Sequence, residues 1–341
     1  MHLTFSKLAN MADQGIKGFA TDYTDWPADV CKYSAVFDDI LVVGTYMLDE
    51  TTRLRHGKLV LYDTQERKLN RIFVMHCDAI LDFKWSPHDP SILAVAHSTG
   101  HISFYRHQFR AELMFLRGIK VADSSVLMLA LDFSDDGKDI SVSLSNGIVI
   151  TIDIPSGVIK NTWKEHHYEA WTVHYSRDDN NLLYSGGDDA VLNCYDQRIP
   201  SSCVWKDIKT HQSGVVSVLS RPTFGSYIAT GEYGDLMHTL DTRRIGRPIA
   251  DANLGGGVWR LEHMYSNDDY HQVLGVLMHR GAQVLRIASD FSSIDATSGV
   301  FDDHESMCYG GDWRRKDNLI ATCSFYDKRV CLWEDMNRLM N

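Results

Sequence analysis

Apolar and polar positions alternate along much of this chain, and over His166–Arg198 the alternation forms a compact pattern. A His opens the stretch, and an alternating run follows through Ala170, Thr172, Val173 and Tyr175. A polar break leads to the short run Leu182–Ser185, the turn Gly186-Gly187-Asp188-Asp189, and a third run, Val191–Tyr195, closed by Asp196-Gln197-Arg198. Period-two runs of four to six residues bounded by Gly and Asp predict strands joined by tight turns. The order His, strand, strand, Gly-Asp turn, strand, aromatic-Asp predicts one blade of a WD-repeat propeller. In such a blade His166, Ser185, Asp189 and Tyr195 are expected to share a buried hydrogen-bond network.

The unit recurs. Its closing dipeptides are Tyr62-Asp63, Tyr105-Arg106, Ile152-Asp153, Tyr195-Asp196, Leu240-Asp241, Arg286-Ile287 and Trp333-Glu334, spaced by 43, 47, 43, 45, 46 and 47 residues. Propeller blades repeat at about 40–45 residues. The expectation is therefore an all-β, seven-bladed WD-repeat β-propeller over residues 32–341. Residues 1–31 form an N-terminal segment that supplies the closing strand, and His2–Leu8 alternates well enough to contribute to it. Within the ring, Met47–His56 reads as a polar hairpin tip of blade one. Blade two is expected to open at His76 and blade seven at His304, with Asp327 at the turn. Blade five has Gly234 where the turn Asp usually stands. Gly255–Gly257, opening blade six, lack a strand-to-helix setting for a phosphate loop and read as a tight backbone turn.

Composition narrows the function classes. An apolar share of 44% over 341 residues can fill the spaces between blades, and only 7 prolines leave little room for long disordered linkers. The 7 cysteines include no Cys-x-x-Cys pair and read as reduced thiols of a cytoplasmic protein. A net charge of −11 disfavours nucleic acid as a partner, and no apolar window is long enough for a membrane span. A monomer without cofactor or metal is expected. His166-His167 suggests a metal pair, but neighbours on a strand face opposite ways, and His166 is better explained as the blade histidine. Ser185, His166 and Asp189 resemble a catalytic triad in composition only, because the blade network uses the same three residue types.

One pattern points to a ligand. Five residues after the opening His lie Trp171 in blade four and Tyr309 in blade seven, and Trp259 aligns with them in blade six. Leu81 and Val216 occupy the place in blades two and five. Equivalent repeat positions sit at equal height around a ring, so these aromatics either line the channel mouth or pack between blades. Glu169 and Asp188 lie nearby, and aromatic faces beside carboxylates suit a quaternary ammonium ion.

The motifs HHYEAW, YSGGDD, YDQR, GGGVWRLEH and ATCSFYDKRVCLWE together resemble the WD-repeat diphthine methylesterase (diphthine methyltransferase) family of the diphthamide pathway, over blades four to seven. The chain departs from that family at Glu232-Tyr233-Gly234-Asp235. The resemblance implies hydrolysis of the methyl ester of methylated diphthine on translation elongation factor 2, beside a trimethylammonium group. On that reading Trp171, Trp259, Tyr309 and Asp188 bind substrate. His167 or Glu169 is the candidate base, and Arg260 or backbone N–H groups would stabilise the oxyanion. The competing class is a non-catalytic scaffold. Asp196-Gln197-Arg198 and Asp241-Thr242-Arg243 resemble the boxes by which propellers dock on the adaptor of cullin-type ubiquitin ligases, and propellers mostly act as platforms.

Overall fold

The computed structural model describes residues 15–199 and 202–336. They form seven antiparallel sheets arranged as consecutive blades. Blade four is representative, with strands Ala170–Tyr175, Leu182–Gly187, Leu192–Asp196 and Cys203–Asp207 running from the channel outward. Each expected closing dipeptide lies in the third strand of its blade, so the repeat spacing located all seven sheets. Two three-residue 3-10 turns, Gln65–Arg67 and Pro222–Phe224, are the helical pieces among the described residues.

The inner strands explain why alternation is so incomplete in this sequence. Ile40–Thr45, Asp139–Leu144 and Ile320–Ser324 are buried at every position, because both faces of each blade pack on neighbouring blades. Between blades two and three, for example, Ala94, Ile102 and Phe104 meet Met128, Leu131 and Ile150 in one cluster. The outermost strands cover one side only, and Val158–Lys164 buries just Asn161 and Trp163.

Blade seven joins the two ends of the chain. Its three strands Cys308–Trp313, Ile320–Ser324 and Arg329–Asp335 are completed by Ile16–Tyr23, which pairs from Ile16↔Asp335 to Tyr23↔Arg329. The closing strand thus comes from the N-terminal segment. His2–Leu8, the stretch expected to supply it, lies outside the described residues. Blade one starts at Ala28, so Lys32, taken above as the first residue of the propeller, falls inside its innermost strand Ala28–Tyr33. His76 is a correction of a different kind: it sits on the outer strand of blade one, Asn70–Asp78, with its ring edge-on to Trp26. The sequence Met47–His56 forms a small hairpin in which Met47 and Leu48 pair with His56 and Arg55.

Candidate functional site

Six of the seven innermost strands break register at one residue. The breaks fall between Ala28 and Val30, Ile80 and Asp82, Met128 and Ala130, Ala170 and Thr172, Val215 and Ser217, and Cys308 and Gly310. In blade six, Trp259 donates its N–H to Val276, the same residue that Arg260 pairs with. A bulge re-aims the extra side chain. The bulge positions are Asp29, Leu81, Leu129, Trp171, Val216, Trp259 and Tyr309, one from each blade, and all but Tyr309 line a cavity along the channel. That cavity measures about 70 Å³. It has room for a few waters and not for a side chain of substrate size, so a bulky ligand must sit at the mouth.

Three of the bulge residues make an aromatic wall. The Trp171 and Trp259 rings meet edge to face with centroids 5.6 Å apart, and Trp259 lies 4.8 Å from Tyr309. Trp171 comes from blade four and Trp259 from blade six, so the two indoles meet across blade five, whose bulge residue is Val216. Asp188, from the blade-four turn, accepts a 3.0 Å hydrogen bond from the Trp171 indole N–H, which fixes that ring and leaves the carboxylate exposed. The three aromatics aligned by repeat position are therefore neighbours, with Trp259 between Trp171 and Tyr309 and Asp188 on Trp171.

Arg260 lies just inside the wall. Its guanidinium donates to Asp82 at 2.8 Å and to the carbonyls of Tyr309 and Leu81 at 2.9 and 3.1 Å. Asp82 also accepts the Leu131 N–H of the next blade, and Asp132 and Asp312 likewise accept Tyr175 and Tyr33 N–H groups. Inner-strand aspartates thus tie adjacent blades together as well as pairing with channel cations. Deeper still, Lys32 and Glu262 form a 2.6 Å ion pair.

Asp29 was not among the sequence candidates. Burial pushes its carboxyl up to about 7, with Arg260 pulling it back and Asp82 adding to the rise. Burial, aided by the Asp29 charge, likewise raises the Tyr309 phenol above its ordinary value. Blade one has no opening His, so alignment by that anchor passed over Asp29, whereas alignment by strand position would have found it.

The other two candidates, His167 and Glu169, flank the blade-four part of this cluster. His167 is exposed on the blade-four rim and donates its backbone N–H to Asp189 at 2.9 Å. Glu169 is half-buried, and its backbone carbonyl accepts the Asp188 N–H. Neither lines the channel cavity. The blade network forms as expected, with His166 hydrogen-bonded to Asp189 at 2.9 Å and to Ser185 at 2.7 Å, and Ser185 to Tyr195 at 3.0 Å. His166 is therefore committed to the interior of the blade.

The chain is 78% identical over 326 residues to the diphthine methyltransferase of Schizosaccharomyces pombe, covering 96% of this chain and 100% of that one. It belongs to the diphthine methyltransferase family. The Saccharomyces cerevisiae diphthine methyltransferase is 29% identical over 365 residues, covering 86% of this chain and 92% of the other. No protein-family profile matches. A chain in the crystal structure of a mitotic checkpoint complex superposes with a TM-score of 0.74 at 15% identity, over 93% of this chain and 91% of that one, a likeness of fold alone.

Within this diphthine methyltransferase family member, the departure in blade five has a structural explanation. Glu232, at the end of the second strand, does what the turn aspartate does elsewhere. Its carboxylate accepts the N–H groups of Gln212 and Ser213 at 2.9 and 2.7 Å and contacts His238 at 3.0 Å. Asp189 and Asp327 accept the corresponding N–H groups of His167 and Glu305 in blades four and seven. With the carboxylate supplied from the strand, the turn can carry Gly234. Gly255–Gly257 are steric, since a side chain at Gly256 would strike the Leu277 carbonyl and one at Gly257 the Tyr233 carbonyl. No helix among the described residues is long and apolar enough to cross a membrane.

Proposed function

We propose that this chain hydrolyses the methyl ester of methylated diphthine on translation elongation factor 2, releasing methanol and leaving diphthine for the final amidation. The relatives' shared name implies a role in diphthamide biosynthesis. The observation that carries the finer reading is the channel mouth, where the Trp259 ring contacts both Trp171 and Tyr309 and Asp188 holds the Trp171 indole. A trimethylammonium group is large, weakly hydrated and unable to donate a hydrogen bond, so it is held by π-faces and nearby carboxylates and not by a polar cage. Seated there, the substrate places its ester over the channel opening. The Arg260 guanidinium lies close by, held by Asp82, and supplies fixed positive charge toward a developing oxyanion. A mouth rather than a deep pocket also suits a modified side chain that remains attached to a protein.

The scaffold reading retains one specific observation. Arg198 and Arg243 each fork onto the aspartate two residues earlier in the same blade, at 2.6–2.9 Å, with side chains 61% and 63% exposed. The two forks repeat one geometry on consecutive blades. The deciding experiment incubates the purified chain with elongation factor 2 carrying methylated diphthine and follows the modified-histidine peptide by mass spectrometry. Loss of one methyl group, with methanol released, is expected; an ester that survives correctly folded protein leaves the scaffold reading in its place.

A further inference from the structure

The mouth contains one carboxyl group that the binding geometry leaves unassigned. Asp29 holds the bulge position of blade one, next in the ring to Tyr309 of blade seven, and lines the same cavity as Trp171, Trp259 and Arg260. It is 7% exposed, yet its carboxyl accepts no hydrogen bond from the described residues. The other acidic groups here are occupied: Asp82 by Arg260 and Leu131, Asp312 by the Tyr33 N–H, Asp188 by Trp171. A buried carboxyl that no hydrogen-bond donor among the described residues engages, facing a cavity large enough for water and next to an aromatic wall, has the placement of a general base.

We propose that Asp29 is the general base of the hydrolysis, a proposal that rests on the ester-hydrolase reading above. The Asp29 carboxylate takes a proton from a cavity water as the water oxygen bonds to the ester carbonyl carbon. The carbonyl π-electrons move onto its oxygen, which faces the Arg260 side. The tetrahedral intermediate then collapses: the carbonyl re-forms, the bond to the methoxy oxygen breaks, and the Asp29 carboxyl returns its proton to the departing methoxide. One water is consumed, methanol and a carboxylic acid are released, and Asp29 ends as the carboxylate that began the cycle.

The groups facing Asp29 set its proton affinity. Arg260 on the blade-six inner strand favours the carboxylate, and Asp82 on blade two disfavours it. Burial raises the Tyr309 phenol and the Cys323 thiol of blade seven, with the Asp29 charge adding to the first and, after Cys31 and Cys308, to the second. Burial outweighs the Arg260 attraction and holds the carboxyl at about 7, so both its acid and its base form are populated near neutral pH.

The test measures turnover of the methylated elongation-factor peptide from acid to alkaline pH for the wild-type chain, Asp29→Asn and Asp29→Glu, with folding checked by circular dichroism. Wild-type kcat should rise with pH and level off above about 7. Asp29→Asn should lower kcat by roughly 10²–10⁴-fold with KM little changed. Asp29→Glu, which keeps a carboxyl but moves it, should retain partial activity with a displaced inflection. If Asn at this position unfolds the chain, the Glu variant decides: an inflection unmoved from wild type overturns the proposal. A folded Asp29→Asn protein with wild-type kcat and pH profile overturns it as well, while wild-type activity leaves the hydrolase reading intact. An inactive wild-type chain overturns the hydrolase reading and this proposal with it.

Discussion

The raised carboxyl at Asp29 has a consequence for stability that needs no substrate. Its proton is held up at about 7 in the folded chain against an ordinary value of 3.8, so the native state binds that proton more tightly than the unfolded chain does. The sign follows directly. The contribution favours folding while the acid is protonated in both states, and it is lost as pH rises through the folded value. At roughly 1.4 kcal/mol per unit, the whole interval corresponds to about 4 kcal/mol. Of this, about 3 kcal/mol falls between roughly pH 5 and pH 8.5. Asp29→Asn removes the titration while preserving shape, so the variant should gain about 3 kcal/mol on wild type over that interval. Groups that do not interact with Asp29 contribute equally in both proteins and cancel in the comparison. Urea unfolding followed by tryptophan fluorescence at the two pH values gives the four free energies required. If wild type and variant lose stability in parallel, Asp29 is not a buried, weakly compensated carboxyl and the reasoning fails.

Trp171→Ala and Trp259→Ala should each lower turnover of the methylated peptide about five- to thirty-fold, the equivalent of about 1–2 kcal/mol for a lost cation–π face. Arg198→Ala and Arg243→Ala should leave it unchanged, and the reverse pattern would move the site away from the mouth. Glu232→Ala strands the Gln212 and Ser213 N–H groups and should destabilise the chain by about 2–4 kcal/mol at neutral pH, read as a lower midpoint in urea. Against burial, which raises it, hydrogen bonds from His238 and Ser213 bring the Glu232 carboxyl down to about 2 from 4.5. Its stabilisation is therefore fully present above 4.5 and fades as pH falls through 2, a dependence Glu232→Ala should lack. All seven cysteines are free, so a thiol assay in denaturant without reductant should recover seven, while half-buried Cys77 and Cys203 react first in the native protein.

The blade count was legible because it is a local property repeated. Each stretch of 43–47 residues encodes one sheet that cannot bury its own faces, and seven such stretches leave seven sheets to pack on one another. The blade-four network was legible for the same reason, since His166, Ser185, Asp189 and Tyr195 all lie within one repeat. The aromatic wall could be anticipated as far as blades with a recognisable anchor allowed. Trp171 and Tyr309 were placed by counting from a His, and Trp259 by matching the glycines to it.

Features that join distant repeats were decided by the tertiary structure. Asp29 reaches the mouth because the ring closes and brings blade one beside blade seven, and its own repeat had lost the anchor that would have aligned it. Arg260 meets Asp82 across 178 residues of sequence, so its engagement with that carboxylate cannot be counted from either repeat. The closing strand shows the same limit: many N-terminal stretches alternate, and pairing with Arg329–Asp335 selects Ile16–Tyr23. Glu232 shows it at short range, where a longer side chain on the strand reaches the N–H groups that a turn aspartate reaches in other blades. The sequence by itself determined which strands form and how many blades they build, because hydrogen bonding and burial within a repeat depend on nearby residues. Which side chains share the channel mouth, and how strongly Asp29 holds its proton, were decided by ring closure, which sets the burial and the neighbouring charges of residues far apart in the chain.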